Sequence, residues 1–181
     1  MTLYFVTGNA GKFAEVKSYL PSVEQLPIDL VEVQSNDAKD IITAKLKEAQ
    51  KNCLGEILVE DTSLYFKGLN GLPGPLIKWF MKSLGVEGLS SLATQIGNNT
   101  ATAVSIFGYI SQNGDISFFE GSVDGVIVES RGSNGFGWDS IFMPTGSSKT
   151  FAEMSVEEKL SEDNNMRRRA LEKLAQTIDL K

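Results

Sequence analysis

Leu3-Tyr4-Phe5-Val6-Thr7-Gly8-Asn9-Ala10-Gly11-Lys12 decides how the chain is read. Its first four residues are apolar, β-branched or aromatic, the signature of a short buried strand. After Lys12 the pattern changes to Phe13, Val16 and Leu20 at helical spacing, with Glu15 and Lys17 facing away. A strand that breaks at a glycine and restarts as a helix aims backbone N–H groups, and the positive end of the helix dipole, at one place. Anions bind such places, and phosphate is the anion expected here. Gly8 and Gly11 let a ligand approach the backbone closely, Thr7 and Asn9 add short polar groups, and Lys12 adds a mobile cation. Thr7 to Lys12 read equally well as an ordinary strand–helix turn, with Asn9 as N-cap and Lys12 in water. The spacing matches neither the P-loop nor G-x-G-x-x-G.

The 181 residues predict a single domain over 1–181, with a substantial core and room for two lobes. A hydrophobic content of 41% with 22% charged residues is that of a soluble globular protein. No apolar run approaches the ~20 residues that span a bilayer, so no membrane is expected. The chain enters a strand at once, leaving no room for a signal peptide. Cys53 is the only cysteine, which excludes an internal disulfide and fits a reducing, cytoplasmic compartment. A net charge of −6 argues against nucleic-acid binding. Histidine is absent, so acid–base and metal chemistry must rest on Asp, Glu, Lys or Tyr, and carboxylate sites favour Mg2+ or Mn2+ over zinc.

Farther along, Asp29-Leu30-Val31-Glu32-Val33-Gln34 alternates and predicts a second strand, with Glu32 on the face opposite Val31 and Val33. Ser35-Asn36-Asp37 offers an N-cap to a helix carrying Ile41, Ile42, Lys45, Leu46 and Ala49. Ile57-Leu58-Val59 reads as a central strand ending in Glu60-Asp61-Thr62. Carboxylates at a buried strand end cost free energy unless paired or metal-bound, and open α/β sheets place ligands at strand ends. Gly68 to Pro75 reads as a packed loop passing between lobes, with Pro75 opening a helix that buries Leu76, Ile77, Phe80 and Met81 and projects Lys78 on another face. A further helix runs from Gly88 to Ile96 and ends at Gly97. Ala101–Ser111 and Ile116–Val128 form long strands joined at Asn113-Gly114, predicting a mixed sheet. In Arg131 to Asp139, three glycines free the backbone and Phe136 and Trp138 offer flat faces, for base stacking or for the core. Ser155 caps a short helix holding Lys159, and Arg167-Arg168-Arg169 precede a terminal helix with Leu171, Leu174 and Ile178.

Thr7 to Lys12, Val59-Glu60-Asp61-Thr62, Gly71-Leu72-Pro73-Gly74-Pro75, Gly135-Phe136-Gly137-Trp138-Asp139 and Phe151-Ala152-Glu153-Met154 stand in the order found in the inosine triphosphate pyrophosphatase family. The resemblance runs from Leu3 to the terminal helix. It implies an α/β fold in which a long mixed sheet carries two α/β lobes flanking a central nucleotide-binding cleft. It also implies a homodimer that hydrolyses ITP, dITP and XTP to the monophosphate and pyrophosphate, cleansing the nucleotide pool, with Mg2+ as cofactor and Mn2+ as the alternative. Matched by position, Thr7, Gly8, Asn9, Ala10, Gly11 and Lys12 cradle the phosphates and Lys45 contacts the triphosphate. Glu32 and Asp61 hold the metal, and Asp61 orients or deprotonates the attacking water, with Lys12 beside it. Thr62 and Lys78 line the nucleotide site. Phe136 stacks on the base, Gly137, Trp138 and Asp139 complete its pocket, and Lys159 meets the ligand from the far lobe.

One departure stands out. The family follows its lysine with a Ser-His-Arg motif that reads the 6-oxo purine. Here about two extra residues intervene, and Asn165-Met166 replaces Ser-His before Arg167. Arg167 retains the donors for a purine O6 and N7, whereas Met166 packs on a ring without hydrogen bonding well. Two further readings follow, the same chemistry with relaxed or altered base preference and a nucleotide-binding sensor that has lost catalysis. Ser140, where the family usually has Pro, is a smaller departure.

Overall fold

The computed structural model describes residues 2–28, 30–31, 33–53, 55–161 and 163–178. Its elements are β1 (Leu3–Val6), α1 (Ala10–Tyr19), β2 (Glu24–Leu26), α2 (Ala38–Ala49), β3 (Glu56–Phe66), β4 (Pro73–Gly74), α3 (Ile77–Ile96), β5 (Thr100–Ile110), β6 (Ile116–Ile127), β7 (Phe142–Pro144), α4 (Val156–Lys159) and α5 (Met166–Thr177). Single 3-10 turns add Lys67–Leu69 and Phe151–Glu153. Among the described residues the strands form one seven-stranded sheet in the order β2-β1-β3-β5-β6-β7, with β4 pairing on β3. β1 is parallel to β2 and β3, while β4 on β3 and β7 on β6 are antiparallel, so the sheet is mixed as expected.

The chain divides into two compact units. Unit 1 takes Met1–Asp61, Ser105–Gly121 and Arg167–Lys181; unit 2 takes Thr62–Val104 and Ser122–Met166. The core of unit 1 sets Leu3, Phe5, Leu58 and Phe107 from the strands against Val16 of α1, Leu20 just after it, and Leu171 and Leu174 of α5. The core of unit 2 gathers Leu64, Phe66, Ala101 and Val123 with Leu89 and Ala93 of α3 and the aromatic trio Trp138, Phe142 and Phe151.

Four expectations are corrected. The second strand is Glu24–Leu26, aligned Tyr4 with Glu24 and Val6 with Leu26, and Asp29–Gln34 contributes no strand among its described residues. Val31 and Val33 are 72% and 41% exposed, so the alternation there marks no buried face; Pro27, which cannot donate to a ladder, follows β2 directly. The Gly68–Pro75 stretch stays inside unit 2 and folds back on β3, pairing Leu64 with Gly74 and Tyr65 with Pro73. α3 starts at Ile77 rather than Pro75, because Leu76 N–H first closes a turn onto Pro73 O at 3.0 Å. Gly85 (φ 70°, ψ 179°) then breaks α3 before its second half, which ends on left-handed Gly97 as expected. The three arginines lie within α5, not ahead of it.

Candidate active site

In unit 1, β1 delivers the chain to the exposed tip Gly8-Asn9-Ala10, and α1 begins at Ala10. Asn9 is its N-cap: Lys12 N–H donates to Asn9 Oδ1 at 3.0 Å and Phe13 N–H to Asn9 O at 3.0 Å. Asn9 N–H in turn donates to Thr7 Oγ1 at 3.1 Å, which rigidifies the turn. The capping role and the anion-binding role coexist, because the cap occupies the amides of Lys12 and Phe13 while those of Ala10 and Gly11 face the helix N-terminus. The first turn of α1 carries no acidic residue to oppose an anion.

Beneath this turn lies a buried ion cluster. Glu60, 5% exposed on β3, accepts from Arg167 Nε at 2.7 Å and from Ser105 Oγ at 2.6 Å, and Lys12 Nζ stands 3.3 Å from its other oxygen. Arg167, 2% exposed, also donates to Glu15. Burial pushes the Glu60 carboxyl upward, but the charges of Arg167 and Lys12 and the hydrogen bonds from Ser105 and Arg167 outweigh it and hold it at about 2. The same carboxylates push the Arg167 guanidinium up against the effect of burial.

Asp61 follows Glu60 on the strand and so projects on the opposite face. There α2 supplies Lys45, whose Nζ lies 3.4 Å from Asp61 Oδ1, both side chains being 12% exposed. Asp37 caps α2 by accepting from Lys39 N–H at 2.8 Å, and Ile41, Ile42, Leu46 and Ala49 form its buried side, as expected. The helix sits close because Gly108 leaves room: a Cβ there would come within 2.1 Å of Ile42 and 3.0 Å of Leu46. β3 does not end at Glu60-Asp61-Thr62 but runs on to Phe66, so both carboxylates are mid-strand. Pairing of each with a lysine lets the strand continue where unpaired charges would break it.

Unit 2 builds a second group of residues. The loop Arg131 to Asp139 is pinned to the Phe151–Glu153 turn by Asn134 N–H to Ala152 O and Ala152 N–H to Asp139 O, both 3.1 Å. Asp139, 5% exposed, accepts from Phe136 N–H at 2.9 Å and from Lys159 Nζ at 2.7 Å. That ammonium also lies 4.7 Å from the Phe136 ring centre and 5.8 Å from that of Phe151. Gly135 is obligatory here, since its φ is +86° and a Cβ would fall 2.2 Å from Asp139 Oδ2. Gly135→Ala is expected to destabilise the protein by about 2 kcal/mol or more, read as a fall in Tm of several degrees; an unchanged Tm would show that the loop does not need this conformation.

The model of the Ham1 family matches residues 3–177. The chain belongs to the Ham1 family. It is 44% identical over 164 residues to an inosine triphosphate pyrophosphatase of Schizosaccharomyces pombe, covering 88% of this chain and 87% of that protein. It is also 44% identical over 185 residues to an inosine triphosphate pyrophosphatase of Phaeosphaeria nodorum, covering 98% and 96%. The Staphylococcus aureus Ham1 protein superposes with a TM-score of 0.81 at 24% identity, over 98% of this chain and 97% of that one, a likeness of fold.

Within this Ham1 chain, Thr7, Gly8, Asn9, Ala10, Gly11 and Lys12 meet in one turn above Glu60, and Lys45 meets Asp61. Phe136, Gly137, Asp139 and Lys159 belong to the unit 2 group. Trp138 departs from the flat-face reading: it is 6% exposed and packs edge-on against Phe142 at 5.5 Å, so it supports the loop from the core. Arg167, expected to read the base, donates from its guanidinium to Glu60 and Glu15 in unit 1. Met166 is 5% exposed within the core of unit 2. Thr62 is half-buried on β3 and Lys78 exposed on α3. Glu32 lies outside the described residues. Glu15, expected to face away, instead accepts from Arg167 in the buried cluster, and its place one helical turn after Lys12 is the signal the sequence holds for it; Glu60 is held by Arg167 from the far end of the chain.

Proposed function

We propose that this chain is a Mg2+-dependent nucleoside triphosphate pyrophosphatase that cleaves ITP, dITP and XTP to the monophosphate and pyrophosphate. The observation that carries the reading is the pairing of Lys12 with Glu60 at the acid-free N-terminus of α1, together with that of Lys45 with Asp61, the next residue of the same strand. Such lysines and amides neutralise the charge that develops on phosphate oxygens, the main demand of phosphoanhydride cleavage. The curated relatives named inosine triphosphate pyrophosphatases support the substrate class. Both units are read as one ITPase-like domain, because β3, β5 and β6 each give residues to both.

In this reading Thr7 to Lys12 and Lys45 take the triphosphate, with Thr62 and Lys78 lining the nucleotide site. Asp61 orients the water that cleaves the bond between the α and β phosphates and accepts its proton. Phe136 stacks on the base, flanked by Gly137 and Asp139, and Lys159 approaches its edge. Mg2+ is commonly held by one or two carboxylates plus substrate phosphates. Asp61 is the described carboxylate proposed to hold the ion, and Glu32 is the second proposed ligand. Bound there, the ion would supply further neutralisation of phosphate charge. A homodimer and a cytoplasmic location complete the proposal. Among the described residues no helix is long and apolar enough to cross a membrane.

Pyrophosphate release from ITP, compared with ATP and GTP, with Mg2+ and with EDTA, tests this. Release that favours ITP at least tenfold and disappears with EDTA is expected; release that survives EDTA would remove the metal, and none from any triphosphate would favour a binding sensor. A second reading has its own support. Arg167, the residue expected to read the 6-oxo group, donates to Glu60 and Glu15, and Met166, in the place of the family histidine, is in the core. Equal release from all three triphosphates would establish that relaxed specificity.

A further inference from the structure

The segment that replaces Ser-His closes onto α4. Asn164 Nδ2 donates to Glu158 O and Asn165 Nδ2 to Lys159 O, each at 3.1 Å. The last carbonyls of a helix lack partners within it, and α4 is only one turn long. Asn165 is 3% exposed and stands immediately before α5, so its backbone is fixed by the longer helix. We propose that Asn165 is a positioning residue: through the carbonyl of Lys159 it fixes where α4 ends, and so holds the Lys159 ammonium between Asp139 and the Phe136 ring. The departure from the family pattern then carries a positive role, since a buried amide donor fixes the backbone from which the Lys159 side chain extends. The geometry of this hold stands by itself; its consequence for substrate rests on the pyrophosphatase reading above.

Two measurements separate these levels. The first is acylation of lysines on the folded protein by an amine-reactive ester, read peptide by peptide by mass spectrometry, in wild type and in Asn165→Ala. Lys159 is 13% exposed at its side chain and Lys45 12%, so Lys45 is a matched control in unit 1. Lys159 labelling is expected to rise about fivefold, the factor one lost hydrogen bond supplies, with Lys45 unchanged. An unchanged Lys159, or an equal rise at Lys45, would overturn the proposal, the latter by showing general loosening. Asn165→Ser keeps a helix-capping hydroxyl but shortens the donor's reach, and is expected to label as Asn165→Ala does; wild-type labelling in it would assign the effect to the cap of α5 and overturn the proposal. The second measurement is KM for ITP, expected to rise about fivefold in Asn165→Ala with little change in kcat. In a Lys159→Met background that rise should vanish, whereas an undiminished rise would sink the route through Lys159. Altered labelling in a protein that does not hydrolyse ITP would uphold the positioning and fault the pyrophosphatase reading alone.

Discussion

Asp61→Asn is expected to lower kcat for pyrophosphate release from ITP about a thousandfold, the middle of the range for a lost general base. The amide preserves the size and planarity of the carboxylate but cannot take a proton from water. Stability should barely change. The amide oxygen still accepts from Lys45, across a contact that is long, at 3.4 Å, and neither side chain is fully enclosed. The two parts of the result separate mechanism from architecture: a loss in kcat at unchanged Tm assigns Asp61 to the chemistry. Retained turnover would remove it from the mechanism and pass the role to another carboxylate. Glu60 is a poor substitute, because its oxygens already serve Arg167, Ser105 and Lys12. Of the two adjacent carboxylates, Glu60 is tied to Arg167, Ser105 and Lys12, and Asp61 is the one to which the proposal gives the reaction.

That division was not legible in the sequence. Val59-Glu60-Asp61-Thr62 announces two carboxylates in an apolar setting, and physical reasoning requires that both be compensated. It does not say by what. The partner of Glu60 is Arg167, 107 residues later, a separation that no local pattern encodes. Local features fared better: the caps at Asn9, Asp37 and Ser155, the hairpin at Asn113-Gly114 and the αL end at Gly97 are each decided by a few neighbouring residues. The misplaced second strand shows the limit of alternation alone. Asp29–Gln34 has the period of a strand, but Val31 and Val33 have no partner surface, and the sheet edge goes to Glu24–Leu26. The aromatic loop was legible in composition but not in roles, since only packing shows that Trp138 belongs to the core while Phe136 stays half-exposed.

Arg167→Met tests where that arginine works. In this structure its removal leaves Glu60 and Glu15 without the guanidinium that bridges them, with Glu60 fully buried. Breaking a buried pair from one side costs about 3–5 kcal/mol, which for a chain of this size lowers Tm by roughly 10 °C. The pH dependence carries a sign that sharpens the test. In the wild type the Glu60 carboxyl is held at about 2 against an ordinary 4.5. Its contribution is therefore present above pH 4.5 and is lost as the pH falls towards about 2. Without Arg167 the carboxyl keeps Lys12 and Ser105 but loses the largest of the influences that lower it, so it moves up from about 2, and the variant is penalised most at neutral pH and less as Glu60 becomes protonated. The gap in Tm between the two proteins should thus be widest near pH 7 and narrow below pH 4.5. Glu60→Gln combined with Arg167→Met should recover part of the loss, because the buried carboxylate that Arg167 balanced is gone. An arginine that instead turns out to read a purine would give the opposite pattern: Tm unchanged at every pH, and KM for ITP raised. Thermal melts at two pH values therefore measure the bracing role of the guanidinium without any nucleotide present, and KM for ITP measures any role toward the base.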